Sequence, residues 1–151
     1  MSATASLAPL AEHAPVEPAL LDVYPWHDPV VASVGVPVHD PYVEMFWLPI
    51  LGPTATWLLR RLAAGCQESP DGYAADMDQL ARGLGVSFTP GRHGPFMRAL
   101  QRCEMFGAAR QVARSPRIVL EVRTMMPILS RRHLDRLPDG LRQAHDDWGA
   151  H

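Results

Sequence analysis

Apolar residues recur at helical spacing through much of the chain and at every second position in one short run. In DMDQLARGLGV (76–86), Asp76 is placed to cap a helix. Met77, Leu80, Ala81 and Leu84 form one stripe, and Gly85 supplies the stop. GPFMRALQRCEMFG (94–107) predicts a second helix, with Pro95 at its first position and Gly107 at its end. On a 3.6-residue wheel Phe96, Leu100 and Cys103 share one face, while Arg98, Gln101, Arg102 and Met105 fall opposite. One face suits a core and the other a polar partner. ARQVA (109–113), Arg114-Ser115-Pro116 and RIVLEVR (117–123) then predict a hairpin. Ile118, Leu120 and Val122 alternate with Arg117, Val119, Glu121 and Arg123, the period of a strand with one buried face.

Upstream, Asp40 and Pro41 predict the start of a helix carrying Tyr42, Met45, Phe46, Leu48 and Ile50, which Pro49 should kink or end. Thr54 is a good cap for TATWLLRRLAAG (54–65), with Trp57, Leu58 and Leu62 expected in the core. GYAA (72–75) resembles the short strand that winged helices place before their second helix and pair with the wing. Downstream, Ser130 can cap RRHLDRL (131–137), and Pro138 and Asp139 open a last helix over 140–148, with Leu134, Leu137, Leu141 and Trp148 apolar. Residues 1–39 hold six prolines and read as an extended arm, so the division is arm 1–39 and domain 40–151, with a core at 54–123 and C-terminal helices at 130–148.

Helix, turn, helix and basic hairpin over 76–123 resemble the winged helix-turn-helix superfamily. The fold expected is mainly α with a small β-hairpin wing (α+β), flanked by the arm and the extra C-terminal helices. The resemblance implies double-stranded DNA binding, with the second helix (95–106) in the major groove and the wing (109–123) on the backbone. About ten residues from Gly85 to Gly94 separate the two helices where such folds ordinarily have a turn of three or four. The phrase DPYVEMFWLPILGPTATWLLRRL (40–62) is similar to actinobacterial proteins, which implies kinship and nothing about activity.

Charge divides along the chain. No lysine is present, all 14 arginines lie between Arg60 and Arg142, and residues 54–143 carry eight acids, giving +6; residues 1–53 carry six acids and no arginine. A basic domain with an acidic arm can contact phosphates, and the arm can screen the same surface. A GC-rich genome would also give arginine without lysine. On the DNA reading Arg92 and His93 flank the amino end of the second helix, where N–H groups favour a phosphate. Arg98, Gln101 and Arg102 would face bases, and Arg114 and Arg117 the backbone or minor groove. The alternative is a non-catalytic protein-interaction module on the same fold.

LLDVYPWHDPVV (20–31) is too apolar for a spacer. It is either a strap on its own domain or a motif that docks a protein partner. Tyr24 and Trp26, with Phe46 and Trp47 of the next segment, are the candidate docking residues. The apolar 40–52 segment is either wrapped by the arm or a homodimer surface, and 130–148 either dimerises or packs back onto the first helix of the domain.

Candidate chemistry narrows little further. Two cysteines make no disulfide framework and suit a reduced, cytoplasmic protein. No signal peptide is expected, and FWLPILGPTATWLL (46–59) is too short and interrupted to span a membrane. Seven histidines show no metal-ligand spacing, and nucleophile-elbow, Walker and dinucleotide motifs are absent. Cys103 with His93 or His133 is the best imaginable nucleophile pair, on a face expected to be buried. Neither enzyme activity nor a cofactor or metal is expected.

Overall fold

The computed structural model describes residues 18–149, an α+β fold. Strand β1 (Leu20–Pro25) leads into helix α1 (Pro29–Val34) and a two-residue strand β2 (Val36–Pro37). A π-helical turn over Val43–Trp47 runs into α2 (Leu48–Leu51), and α3 (Pro53–Glu68) follows. Then come β3 (Tyr73–Asp76), α4 (Met77–Gly83), α5 (Pro95–Met105), the hairpin β4 (Ala109–Ala113) and β5 (Ile118–Val122), the short β6 (Met125–Met126), α6 (Arg131–Leu134) and α7 (Asp139–Trp148).

The expected arm boundary is not where the folded structure begins. β1 is an interior strand of a four-stranded sheet ordered β3-β1-β5-β4, antiparallel to β3 and parallel to β5. Leu21 and Val23 point into the core with no exposed surface, and Asp22 and Tyr24 alternate with them. Each of those two burials contributes about 1.5–3 kcal/mol. The strand therefore forms despite Pro18 and Pro25 at its margins. β3 occurs where GYAA predicted a strand, yet its partner is β1 and not the hairpin, because β1 lies between them.

The 40–52 segment contributes most of its apolar side chains to the core. Tyr42, Val43, Phe46, Trp47, Ile50 and Leu51 are all buried. The C-terminal segment covers them. Trp47 Nε1 donates to the Pro127 carbonyl at 2.8 Å, the Tyr42 hydroxyl accepts from Leu129 N at 2.9 Å, and α7 lays His145 and Trp148 edge-on against Phe46. The last helix thus packs on 42–47 rather than on α3. Asp40 does cap this stretch, accepting from Tyr42 N, and Pro49 falls directly after the π-helical turn, two residues before the helix ends at Leu51.

The chain reverses at Gly52, whose φ of 84° favours glycine. Pro53 then opens α3, so Thr54 is not its cap. Trp57 is 53% exposed, on the outer face of a helix whose buried side runs through Leu58, Leu59 and Leu62. The helices at 76–86 and 94–107 form as their patterns predict. Asp76 accepts from Asp78 N and Gln79 N, and Phe96, Ala99, Leu100 and Cys103 are buried.

Candidate functional site

The outer face of α5 lies between two open grooves. The first, about 540 Å³, runs between α5 and the turn joining α2 to α3. His93, Arg98, Gln101, Arg102 and Met105 form one wall, with Gly52 and Pro53 opposite. The second, about 380 Å³, lies on the other side, where Arg92, His93, Gln101 and Arg114 converge over Phe88, Met97 and Ile118. His93 and Gln101 line both. Six of the seven residues expected to contact DNA therefore come together on one face.

Arg117 does not join them. Its Nε donates to Asp22 at 3.0 Å and its second nitrogen to the other carboxylate oxygen, so it ties the hairpin to β1. The carboxylate holds this guanidinium more firmly protonated than usual, through that hydrogen bond first. Arg102 lines the first groove but is already engaged. It donates to the Ile50 carbonyl at 2.9 Å, and its guanidinium lies 5.2 Å from the centre of the Phe106 ring. Arg98, Arg92 and Arg114 are exposed and meet no carboxylate among the described residues.

The amino end of α5 points into the same face. Gly94 stands at the cap position without a side chain to satisfy the first N–H groups, and Arg92 and His93 stand just before it. The ten-residue connection from Gly85 to Gly94 helps form this site. It lays Phe88 edge-on against Phe96, 5.5 Å between ring centres, and delivers Arg92 and His93 to the rim.

The four expected docking residues are dispersed. Phe46 and Trp47 are buried and present nothing to a partner. Trp26 lies against two guanidiniums, Arg123 at 3.8 Å and Arg110 at 4.4 Å from its ring centre, and its backbone N–H donates to the Val122 carbonyl at 2.8 Å. It fastens the chain onto the hairpin. Tyr24 is 43% exposed and lies over Gly72, where an added Cβ would come within 2.4 Å of its ring.

Burial also removes the imagined nucleophile. Cys103 donates its thiol to the Ala55 carbonyl at 3.4 Å, and burial pushes it up to about 12. His93 stands on the outer face and His133 packs edge-on against Trp47 and Phe106. Among the described residues no three His, Cys, Asp or Glu side chains converge as a metal site, and no helix is long and apolar enough to cross a membrane.

No protein-family profile and no curated protein sequence matches the chain. Its fold is similar to that of the primosome protein DnaB of Geobacillus stearothermophilus, in a crystal structure of residues 1–300. The TM-score is 0.51 at 15% identity, over 86% of this chain and 47% of that one. The chain thus spans about half the length of the structure it matches. At this identity the likeness is one of fold alone.

Sequence reasoning found the basic side chains but missed the apolar floor they surround. Met97 and Ile118 lie beside buried positions of their own elements, and nothing in their spacing shows that they meet across a groove. A cross-strand register would have shown Arg110 opposite Glu121, with which it pairs.

Proposed function

We propose that the chain is a DNA-binding protein of winged-helix type, with α5 entering the major groove and the β4–β5 hairpin lying on the backbone. The observation that carries this reading is the convergence of Arg92, His93, Arg98, Gln101 and Arg114 on the face where α5 leaves its first N–H groups uncapped. The order α3, β3, α4, α5, β4, β5 supports it, being the helix, strand, helix, helix, hairpin succession of that superfamily. On this reading Arg98 and Gln101 reach base edges, where arginine pairs with guanine and glutamine with adenine. Arg92, His93 and Arg114 hold phosphates. Arg102 and Arg117 act structurally, each fixed by a partner within the chain.

Binding of a mixed-sequence duplex, followed by fluorescence anisotropy across a salt series, tests the proposal. Affinity should fall linearly with salt on logarithmic axes, and Arg92→Ala with Arg114→Ala should reduce that slope by about two. No binding at low salt by the native chain overturns it.

A second reading, a protein-interaction surface, is favoured by one observation. Met105 is 72% exposed at the end of the first groove and Trp57 is 53% exposed on the neighbouring helix. A partner held there by apolar burial would show little salt dependence.

A further inference from the structure

The acids of the first 53 residues are mostly committed within the fold. Asp22 pairs with Arg117, Asp28 with Arg123 and Glu44 with Arg60, while Asp40 caps the π-helical stretch. They cannot also screen the basic face of α5. Glu12 and Glu17 are the other two, and they belong to residues 1–17, outside the described part of the chain.

The second groove lies where that segment joins the fold. Ala19 forms part of its rim, and the Ala19 carbonyl accepts from Met77 N at 2.9 Å, which fixes the point of departure. Seventeen residues extend to on the order of 55 Å, ample to reach across this groove. Their side chains complement it: Leu7, Leu10 and Val16 are apolar, Glu12 and Glu17 acidic, and no arginine or lysine occurs. The groove offers Phe88, Met97 and Ile118 as floor and, as rim, Arg92 and Arg114, which meet no carboxylate among the described residues.

We propose that residues 1–17 occupy the second groove, with Glu12 and Glu17 against Arg92 and Arg114 and the leucines over Met97 and Phe88. The occupied groove is then an autoinhibited form of the α5 face. Only the autoinhibition rests on the DNA-binding reading; the occupancy does not. Tethering gives the segment a high effective concentration at the groove, so modest contacts suffice to hold it. A segment bound for nine-tenths of the time raises the apparent Kd of a competing ligand about tenfold.

The test uses the full chain carrying Ala11→Cys and a nitroxide label. Cys66 and Cys103 are buried and their thiols are pushed up to about 11 and about 12, so native labelling selects the new cysteine. Amide resonances of Met97, Gln101 and Arg114 should broaden, and that of Gln143 on α7 should not. Adding Leu7→Ser, Leu10→Ser, Glu12→Gln and Glu17→Gln should remove the effect and, if the α5 face binds DNA, tighten duplex binding about tenfold. Unaffected groove resonances, broadening spread evenly over the surface, or a pattern the four substitutions leave unchanged overturns the occupancy. Groove broadening without duplex binding by either chain upholds the occupancy and overturns the DNA-binding reading.

Discussion

Arg123 holds its guanidinium 3.8 Å from the centre of the Trp26 indole and donates to Asp28 at 3.0 Å, so one hairpin arginine fastens the chain leaving β1 at two points. Its Nε also donates to the Gly107 carbonyl at 2.7 Å, which joins the end of α5 to the same cluster. Trp26→Ala removes a half-buried ring and its cation–π contacts together, and should cost about 2 kcal/mol. Urea denaturation checks this, and a loss within a few tenths of zero would mean that the cluster contributes nothing.

Gly65 sits in α3 directly beneath Tyr73. A Cβ there would lie 2.3 Å from the phenol, and that ring is fixed by its hydroxyl donating to the Leu62 carbonyl at 2.7 Å. Gly65→Ala should therefore destabilise the fold by about 1–3 kcal/mol despite alanine's better helix propensity. Thermal unfolding distinguishes the outcomes, since relief of glycine's helix penalty alone would raise the midpoint.

The Tyr42 hydroxyl accepts from Leu129 N and pairs with His145 Nε2 at 2.6 Å, joining the π-helical turn to the C-terminal segment. Tyr42→Phe keeps the ring packing but leaves the buried Leu129 N–H without its acceptor, at about 1–3 kcal/mol. Amide exchange at Leu129 should accelerate more than exchange in β1.

His133 is held below its ordinary value of 6.5 by burial first and by Arg136 and Arg132 second. The unfolded chain therefore takes up this proton at higher pH than the folded one does. The contribution of the neutral imidazole is complete above 6.5 and declines as pH falls through that value toward the lowered one. Chemical denaturation from pH 7.5 to 5 should show stability rising with pH, with a smaller slope in His133→Gln. Equal slopes would show that His133 titrates alike in both states.

Two neighbouring hairpin arginines separate binding from structure. Arg114 is exposed on the second groove, whereas Arg117 is paired with Asp22. Arg114→Ala should weaken duplex binding and lower the salt slope by about one at unchanged stability. Arg117→Ala should leave the salt slope in place and lower stability modestly, since the pair is largely exposed. The reverse result would place the duplex on the β1 side of the hairpin.

The sequence by itself determined the elements whose signals are local. The caps at Asp76 and Ser130, the helical stripe of α5, the alternation in β5 and the turn at Gly107 depend on neighbours a few residues away, and each occurs where its pattern lies. It also determined which α5 side chains face outward, because one helical period fixes them all.

Only the tertiary structure decided how those elements combine. LLDVY has strand alternation, but the prolines flanking it read as an arm until β3 and β5 supply two ladders, the second across more than ninety residues of chain. Trp57 and Trp47 both sit in apolar helical runs, and only the C-terminal segment covering 42–47 determines which is buried. The same holds for the arginines. Charge and exposure on a wheel do not distinguish Arg98 from Arg102, or Arg114 from Arg117, until a carbonyl at Ile50 and a carboxylate at Asp22 arrive from distant parts of the chain.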